Sequence, residues 1–546
     1  MTTTFCLHIT PLNQVVTLDG NELIDGCQTS ICESQKHESF YQVRIENGFL
    51  ELDNSCFGFE KIYFQKKNSS FVITNDVSLL DVNGFVSEGI ASILTFGYLL
   101  PTLTLYEGIN VLPVRATLKL NLATLSYDIL DKGINSPSSV ERSTVKSVES
   151  FLKLNNVDCS SFLMSGGRDS RVIAALNPSD VKKTFTFMLE GFKPDIDDLN
   201  NVLSYNNSII GNHKVIRADT KDKTLCDSYK TSTIEAFDHV HAGRWKFDYF
   251  IKNVSSENER LTFVNGQTAD TIICLNLTGN DVVSRIRRAA FYGKYSHRAV
   301  KFLLKQLSPV LGMFPNKYQM YFQGLSQAKN DAEYYAGYIL NDIEFPGIER
   351  SKQKRLYKIL GSAAMENLYA KTKRFVDGKI SLYGSGETHA FMLDLCLSTF
   401  IWGMDMRGLR EACHRYGHST NFLFMNNELI RNLLSLPAKY TSPLSQYKRV
   451  LSDIERKYKK SIFKDNPTQT SIPLAEQSFE KLIIDGCIGD YWKEQFSTKE
   501  FEEFVKYILH QHQIDLSGIE ISTTNYTLVD RTMSLFLWYK KYIKSC

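Results

Sequence analysis

Hydrophobic positions in the first 130 residues fall in short runs broken by polar turn residues. Val15-Val16-Thr17-Leu18, Tyr41-Gln42-Val43-Arg44-Ile45, Phe49-Leu50-Glu51-Leu52 and Phe71-Val72-Ile73-Thr74 are β-branched or aromatic runs. Asp19-Gly20, Asp25-Gly26 and Glu46-Asn47-Gly48 punctuate them. Short strands separated by turn residues are the reading. A helix over 85–96 and a further strand at 117–120 complete a sheet-rich α+β region. Asn135-Ser136-Pro137-Ser138-Ser139 reads as a linker, giving a division into 1–135 and 140–546.

Beyond the linker the pattern changes. A helix over 145–154 leads to an apolar run, 161–164, that stops at Ser165-Gly166-Gly167. Val172, Ile173, Ala174 and Leu176 then recur at helical spacing up to Asn177-Pro178. A strand at 184–188, an acidic helix start at Pro194-Asp195-Ile196-Asp197-Asp198 with a helix to about 210, and strands at 214–216 and 261–264 follow. Strand, loop and helix repeated at this spacing predict a parallel sheet. From 282 onward the pattern is mostly helical: a proline-free run over 391–416, a helix over 429–436 ending at Pro437, and a charged stretch, 447–460, that reads as a solvated helix. Residues 464–470 read as a loop. Phe501, Phe504, Tyr507 and Ile508, then Leu535, Phe536, Leu537 and Tyr539, have the spacing of core contacts. The expected fold is α/β: a parallel-sheet domain with a helical C-terminal part, behind an α+β sheet-rich domain.

Composition narrows the class without naming a function. A chain of 546 residues exceeds one hydrophobic core. Its 43% hydrophobic and 23% charged shares are those of a globular protein, and a net charge of +3 gives no general attraction to nucleic acid or membrane. Eleven scattered cysteines without a C-x-x-C pair read as reduced thiols in a cytoplasm. No signal peptide is read at the N-terminus. The apolar stretch 89–105 is interrupted by Gly97 and Pro101, so it reads as a buried element and not as a span.

The chemistry concentrates at Ser165-Gly166-Gly167-Arg168-Asp169-Ser170. Two glycines let backbone N–H groups converge, and a helix N-terminus behind them favours an anion. Serine hydroxyls and the arginines 168 and 171 add donors and positive charge. No Gly-Lys-Ser/Thr follows, so the loop is not of the Walker type. Other polar groups stand out less. His239 and His241 with Asp238 and Arg244 form a polar knot that lacks a third clear metal ligand; a substrate pocket or satisfied loop groups are favoured. Glu387 and Glu411 are carboxylates that could act as a catalytic base, though surface or capping roles are commoner. The basic run 455–460 is ordinarily a solvated face; contact with a leader peptide or another acidic substrate is the sharper alternative.

The six-residue loop resembles the pyrophosphate loop of the N-type ATP pyrophosphatases. The order of landmarks resembles the asparagine synthetase family with its β-lactam synthetase and lasso-peptide cyclase relatives. The other landmarks are 185–216, ending in Gly211-Asn212-His213; Phe263-Val264-Asn265-Gly266-Gln267-Thr268-Ala269-Asp270; and Phe422-Leu423-Phe424-Met425-Asn426 to Ser435-Leu436-Pro437. Gly97-Tyr98 and 101–109 match the end of the family's first domain. The resemblance implies ATP and Mg²⁺ as cofactors and adenylation of a substrate carboxylate. An amine would then displace AMP to form an amide. It assigns Ser165, Gly166, Gly167, Arg168, Asp169, Ser170, Met188 and Gly266 to ATP and pyrophosphate, and Asp169 and Asp270 to the metal. Lys448 would be the lysine that faces pyrophosphate or the tetrahedral intermediate.

Departures qualify the likeness. Position 2 is Thr2 where an active glutaminase has its cysteine nucleophile, and the nearest cysteine, Cys6, lies in a strand-like run. The front domain therefore reads as a degenerate glutaminase-like domain, and the amine comes from the substrate or a separate donor. Thr271 stands where the family has Glu, and Asn426 and Asn421 align on an expected Asp and Arg. The alternatives carried forward are a nucleotide-binding subunit or scaffold that works with a partner protein, and an RNA-modifying pyrophosphatase, disfavoured because no basic stripe or RNA module is visible.

Overall fold

The computed structural model describes residues 5–10, 15–18, 21–23 and 28–31, then 41–134, 144–153, 161–177, 183–193, 212–274, 329–342, 350–437, 448–458 and 479–544. Positions 56, 59–60, 102, 242, 255–259 and 384–386 are exceptions within these blocks, and 195, 197, 200, 202, 302, 306 and 440 are single described positions. The expected linker at 135–139, most of the helix expected to 210, the stretch 282–300 and the loop 464–470 lie outside the described residues.

Among the described residues, eleven strands and one α-helix make the front of the chain. They are β1 (Cys6–Thr10), β2 (Val15–Leu18), β3 (Asn21–Leu23), β4 (Gln28–Ile31), β5 (Tyr41–Glu46), β6 (Phe49–Asn54), β7 (Ile62–Lys67), β8 (Ser70–Thr74), α1 (Ser87–Phe96), β9 (Asn110–Leu112), β10 (Ala116–Asn121) and β11 (Tyr127–Asp131). They form two antiparallel sheets, ordered β3-β2-β1-β8-β7-β9 and β11-β10-β6-β5-β4. Along β6 buried and part-exposed positions alternate, so one face of the strand lies in the core. Leu7, Ile9, Phe71 and Ile73 of the first sheet meet Val43, Leu50, Leu52 and Leu118 of the second in one core. Tyr63 and Val72 point the other way, into a second core shared with α1. The Asn47-Gly48 turn, with φ of 53° and 75°, closes the β5–β6 hairpin.

The rest of the chain is built on a five-stranded parallel sheet. Its elements begin with α2 (Val145–Phe151), β12 (Ser161–Leu163), α3 (Arg168–Leu176), β13 (Lys183–Leu189), β14 (Asn212–Ala218), α4 (Lys223–Ala236), α5 (Arg244–Val254), β15 (Thr262–Asn265) and α6 (Ala269–Cys274). They continue through α7 (Asp331–Asp342), α8 (Arg350–Ser381), α9 (Thr388–Cys396), α10 (Arg407–Arg415), β16 (Ser419–Phe422), α11 (Asn427–Leu434) and α12 (Arg449–Tyr458). Three helices close the chain: α13 (Cys487–Phe496), α14 (Lys499–His512) and α15 (Tyr526–Trp538). The strand order is β14-β13-β12-β15-β16. The chain steps outward from β12 to β14 and then returns to the other side of β12, so the order reverses between β12 and β15. Ligands in open parallel sheets bind at the carboxyl ends beside such a reversal.

The second core runs without a break from Phe57 and Tyr63 of the front to Trp538 and Tyr542 at the end. α1 packs on α8 and α15. The molecule is thus a mixed α/β fold with one parallel and two antiparallel sheets. One expectation is corrected. Where the charged stretch expected as a solvated helix is described, it is not one, because α12 buries Val450, Leu451, Ile454 and Glu455 and turns Arg456 and Lys457 outward. Among the described residues no helix is long and apolar enough to cross a membrane, and Cys6, Cys226, Cys396, Cys413 and Cys487 are free thiols.

Candidate functional site

β12 ends where its backbone is tied to β13: the Met164 N–H donates to the Phe185 carbonyl at 2.8 Å, and the Thr186 hydroxyl donates to the Met164 carbonyl at 2.7 Å. The next three residues cross to the N-terminus of α3, whose first position is Arg168. Two serines staple this crossing. Ser170 Oγ lies 2.7 Å from the Ser165 carbonyl and 3.0 Å from Ser165 Oγ, and the Gly167 N–H reaches Ser165 Oγ at 3.3 Å. A loop held by its own hydroxyls is preorganised for an anion at the helix end.

β15, the neighbour of β12, ends in a second turn that lies directly on this helix. A Cβ at Gly266 would stand 3.0 Å from both Asp169 Cβ and the Ser170 backbone nitrogen, so only glycine lets the two turns touch. Asn265 Nδ2 and Thr268 Oγ1 in the turn are buried without a hydrogen-bond partner. Thr268 adopts φ 70°, the left-handed region that a β-branched side chain avoids.

Asp169 in the first turn of α3 and Asp270 in the first turn of α6 converge on one cation, Lys448. Lys448 Nζ is 2.5 and 2.7 Å from the two Asp169 oxygens and 2.5 Å from Asp270 Oδ1. Lys448 itself sits at φ 51°, one residue before α12. Burial pushes the Asp169 carboxyl up to about 6; the Lys448 charge opposes this and the Asp270 charge adds to it. For Lys448 burial alone would lower the pKa, but the two carboxylates outweigh it and the net shift is upward. The ammonium is therefore held charged between two carboxylates that share it.

Behind this trio, Glu455 accepts from Arg168 Nε at 3.0 Å and pairs with Arg171 Nη2 at 3.1 Å. Arg171 also donates to the Gly166 carbonyl at 3.2 Å. The structure thus brings Ser165, Gly166, Gly167, Arg168, Asp169, Ser170, Gly266, Asp270 and Lys448 together. Met188 is buried on β13, its sulfur 3.5 Å from Arg217 Nη1. Glu387 is the N-cap of α9, and α9 packs on α6.

Glu411 is placed in a different group. It pairs with Arg407 Nε at 2.9 Å and lies 3.5 Å from His239 Nε2. Arg407 also binds Asp238, which receives Lys61 Nζ at 2.7 Å and the Tyr63 hydroxyl at 2.6 Å. This is the polar knot read from the sequence, now seen to join the front sheet to the helices. Burial lowers His241 to about 3 and lowers His239 too, so both rings are neutral near pH 7. Arg244 pairs with Asp530 at 2.8 Å. No group of three metal-ligating side chains occurs among the described residues.

The departures also have places. Thr271 is buried within α6, the Asn426 side chain caps α11 by accepting from the Leu429 N–H at 3.0 Å, and Asn421 stands opposite Val264 on β16. Sequence reasoning gave Asn265 and Thr268 no role of their own and read Glu455 as part of a solvated basic run. No local pattern marks the last, because its partners Arg168 and Arg171 lie far back in the chain.

Searches of known proteins add no name: no family model matches the chain, and no curated protein matches it.

Proposed function

We propose that this chain is an ATP-dependent, AMP-forming amide ligase without its own glutaminase. The observation that carries the reading is Lys448, brought 279 residues along the chain to Asp169 and joined there by Asp270. A glycine loop, two carboxylates and a lysine then meet beside the strand-order reversal, as the resemblance to the asparagine synthetase family implies.

In this reading the N–H groups and hydroxyls of 165–170 receive the β,γ-phosphates. A pair of carboxylates already converging on one cationic point is an all-oxygen donor set suited to Mg²⁺, and Asp169 and Asp270 would hold it. Bound there, the ion would offset charge building on the departing pyrophosphate. A substrate carboxylate oxygen attacks the α-phosphorus, the bond to the β-phosphate breaks, and pyrophosphate leaves. Lys448 supplies a second, fixed positive charge, worth most in a preorganised site. An amine, from the substrate or a separate donor, then attacks the acyl carbonyl. It loses a proton, to Glu387 in the simplest assignment, and AMP departs. The product is a small-molecule amide or a peptide macrolactam.

The test is ATP–pyrophosphate exchange by the full chain with Mg²⁺ and a panel of carboxylic acids. Asp169→Asn is expected to reduce exchange by about 10²–10³-fold with the fold unchanged by circular dichroism. Exchange that survives this substitution overturns the assignment. A second reading, a nucleotide-binding partner subunit without turnover, is favoured by Thr271 and Asn426, one buried in α6 and the other engaged as a cap. ATP binding without exchange for any acid would select it.

A further inference from the structure

Arg168 occupies the first position of α3, where the helix dipole disfavours a cation. Its charge must be answered from elsewhere, and Glu455 answers it together with that of Arg171. Only 8% of the Glu455 side chain and 6% of the Arg171 side chain are exposed, so losing one member would strand a buried charge.

Glu455 lies within α12 and Lys448 is the residue immediately before it, so one helix carries both. α12 packs on α3. The charges interlock: Lys448 meets Asp169, and Glu455 meets Arg168 and Arg171. Sliding α12 by one turn, about 5.4 Å, would break both sets at once. Lys448 has no regular helix of its own to hold it, since its left-handed backbone precedes α12. Its place along the groove is inherited from α12.

We infer that Glu455, through Arg168 and Arg171, is the positioning residue that fixes the register of α12 on α3 and so sets Lys448 Nζ between Asp169 and Asp270. The inference rests on the functional reading above for its catalytic consequence, though not for its geometry. α12 has an independent anchor on α2: Lys457 Nζ pairs with Glu149 at 2.8 Å, and the Tyr458 hydroxyl donates to the same carboxylate. That anchor holds the helix to the fold without reaching the loop, which makes it the control.

The experiment compares Glu455→Gln, Glu455→Asp and Glu149→Gln with the unaltered chain. The readings are exchange kinetics, Tm, and the rate at which Lys448 is acylated by an amine-reactive ester, followed by mass spectrometry of its peptide. Glu455→Gln is expected to lower kcat by about 10–100-fold, as loss of an outer support does. KM for ATP should hold within about threefold while the acylation rate of Lys448 changes, and Glu455→Asp should restore part of kcat. Glu149→Gln should lower Tm and leave kcat and Lys448 acylation as they were. Unaltered acylation and kcat in Glu455→Gln, or the same changes in Glu149→Gln, would overturn the inference. If no acid supports exchange in the unaltered chain, the ligase reading falls, and the acylation rates still decide the role of Glu455.

Discussion

Thr268 carries two costs at one residue. Its backbone is left-handed at φ 70° and its hydroxyl is buried without a partner. A non-glycine residue in this region costs on the order of 1–2 kcal/mol, and an unmatched buried hydroxyl adds to that. It stands two residues after Gly266 and two before Asp270, in the turn that lies on the phosphate-type loop. Strain held at such a place is an outlier from which function can be inferred. Thr268→Gly is therefore expected to raise stability by about 1 kcal/mol in urea unfolding while weakening ATP binding. A less stable variant would show that the threonine side chain contributes packing worth more than the strain. The same scale explains which residues could be read in advance. Ser165 to Ser170 form a local pattern, complete within six residues. Glu455 means nothing until Arg168, 287 residues earlier, is beside it. Lys448 was singled out by resemblance alone, because a lysine in a charged stretch looks like any other.

At the scale of elements, the two glycine turns work as a pair. β12 and β15 are parallel neighbours, Phe162 standing opposite Val264, so their following turns must share the space above α3. Gly266 is the contact, and the atoms facing it include backbone of α3 that cannot swing aside. Gly266→Ala should displace the β15–α6 turn, destabilise the chain by about 1–3 kcal/mol, and cost about 10²-fold in exchange. Exchange at the unaltered rate would mean that the turns need not touch. Strands with clean alternation, such as β5 and β6, were legible because one face of each is buried in the sandwich core. β16 was not, since Ser419-Thr420-Asn421-Phe422 is four residues long and largely polar, and among the described residues it pairs with β15 alone. The 32-residue α8 lies in the region read as mostly helical, but its bounds were not legible: it is interrupted at Gly361, φ 75°, so no single face runs its length.

At the scale of the molecule, buried charge marks the seam between the front sheets and the helical body. Lys61 and Asp238 pair across 177 residues, and Arg115 binds Asp394 across 279. Such pairs are costly to bury, and their strength is in specifying which surfaces meet. Lys61 makes this measurable. Burial, aided by Arg407 and opposed by Asp238, lowers its pKa to about 8. Below pH about 8 the native and unfolded chains both carry the proton, and the native state bears the full cost of a buried ammonium. As pH rises from there toward the ordinary lysine value near 10.4, the unfolded chain still holds a proton that native Lys61 has released, so this group's contribution to stability increases. Lys61→Met removes the ammonium and leaves Asp238 paired with Arg407 and Tyr63. The stability of the unaltered chain relative to Lys61→Met, measured by urea unfolding, should therefore improve by about 2 kcal/mol between pH 7.5 and 9.5. Parallel pH curves for the two proteins would mean that Lys61 titrates as a solvated lysine and that the seam is open to water there.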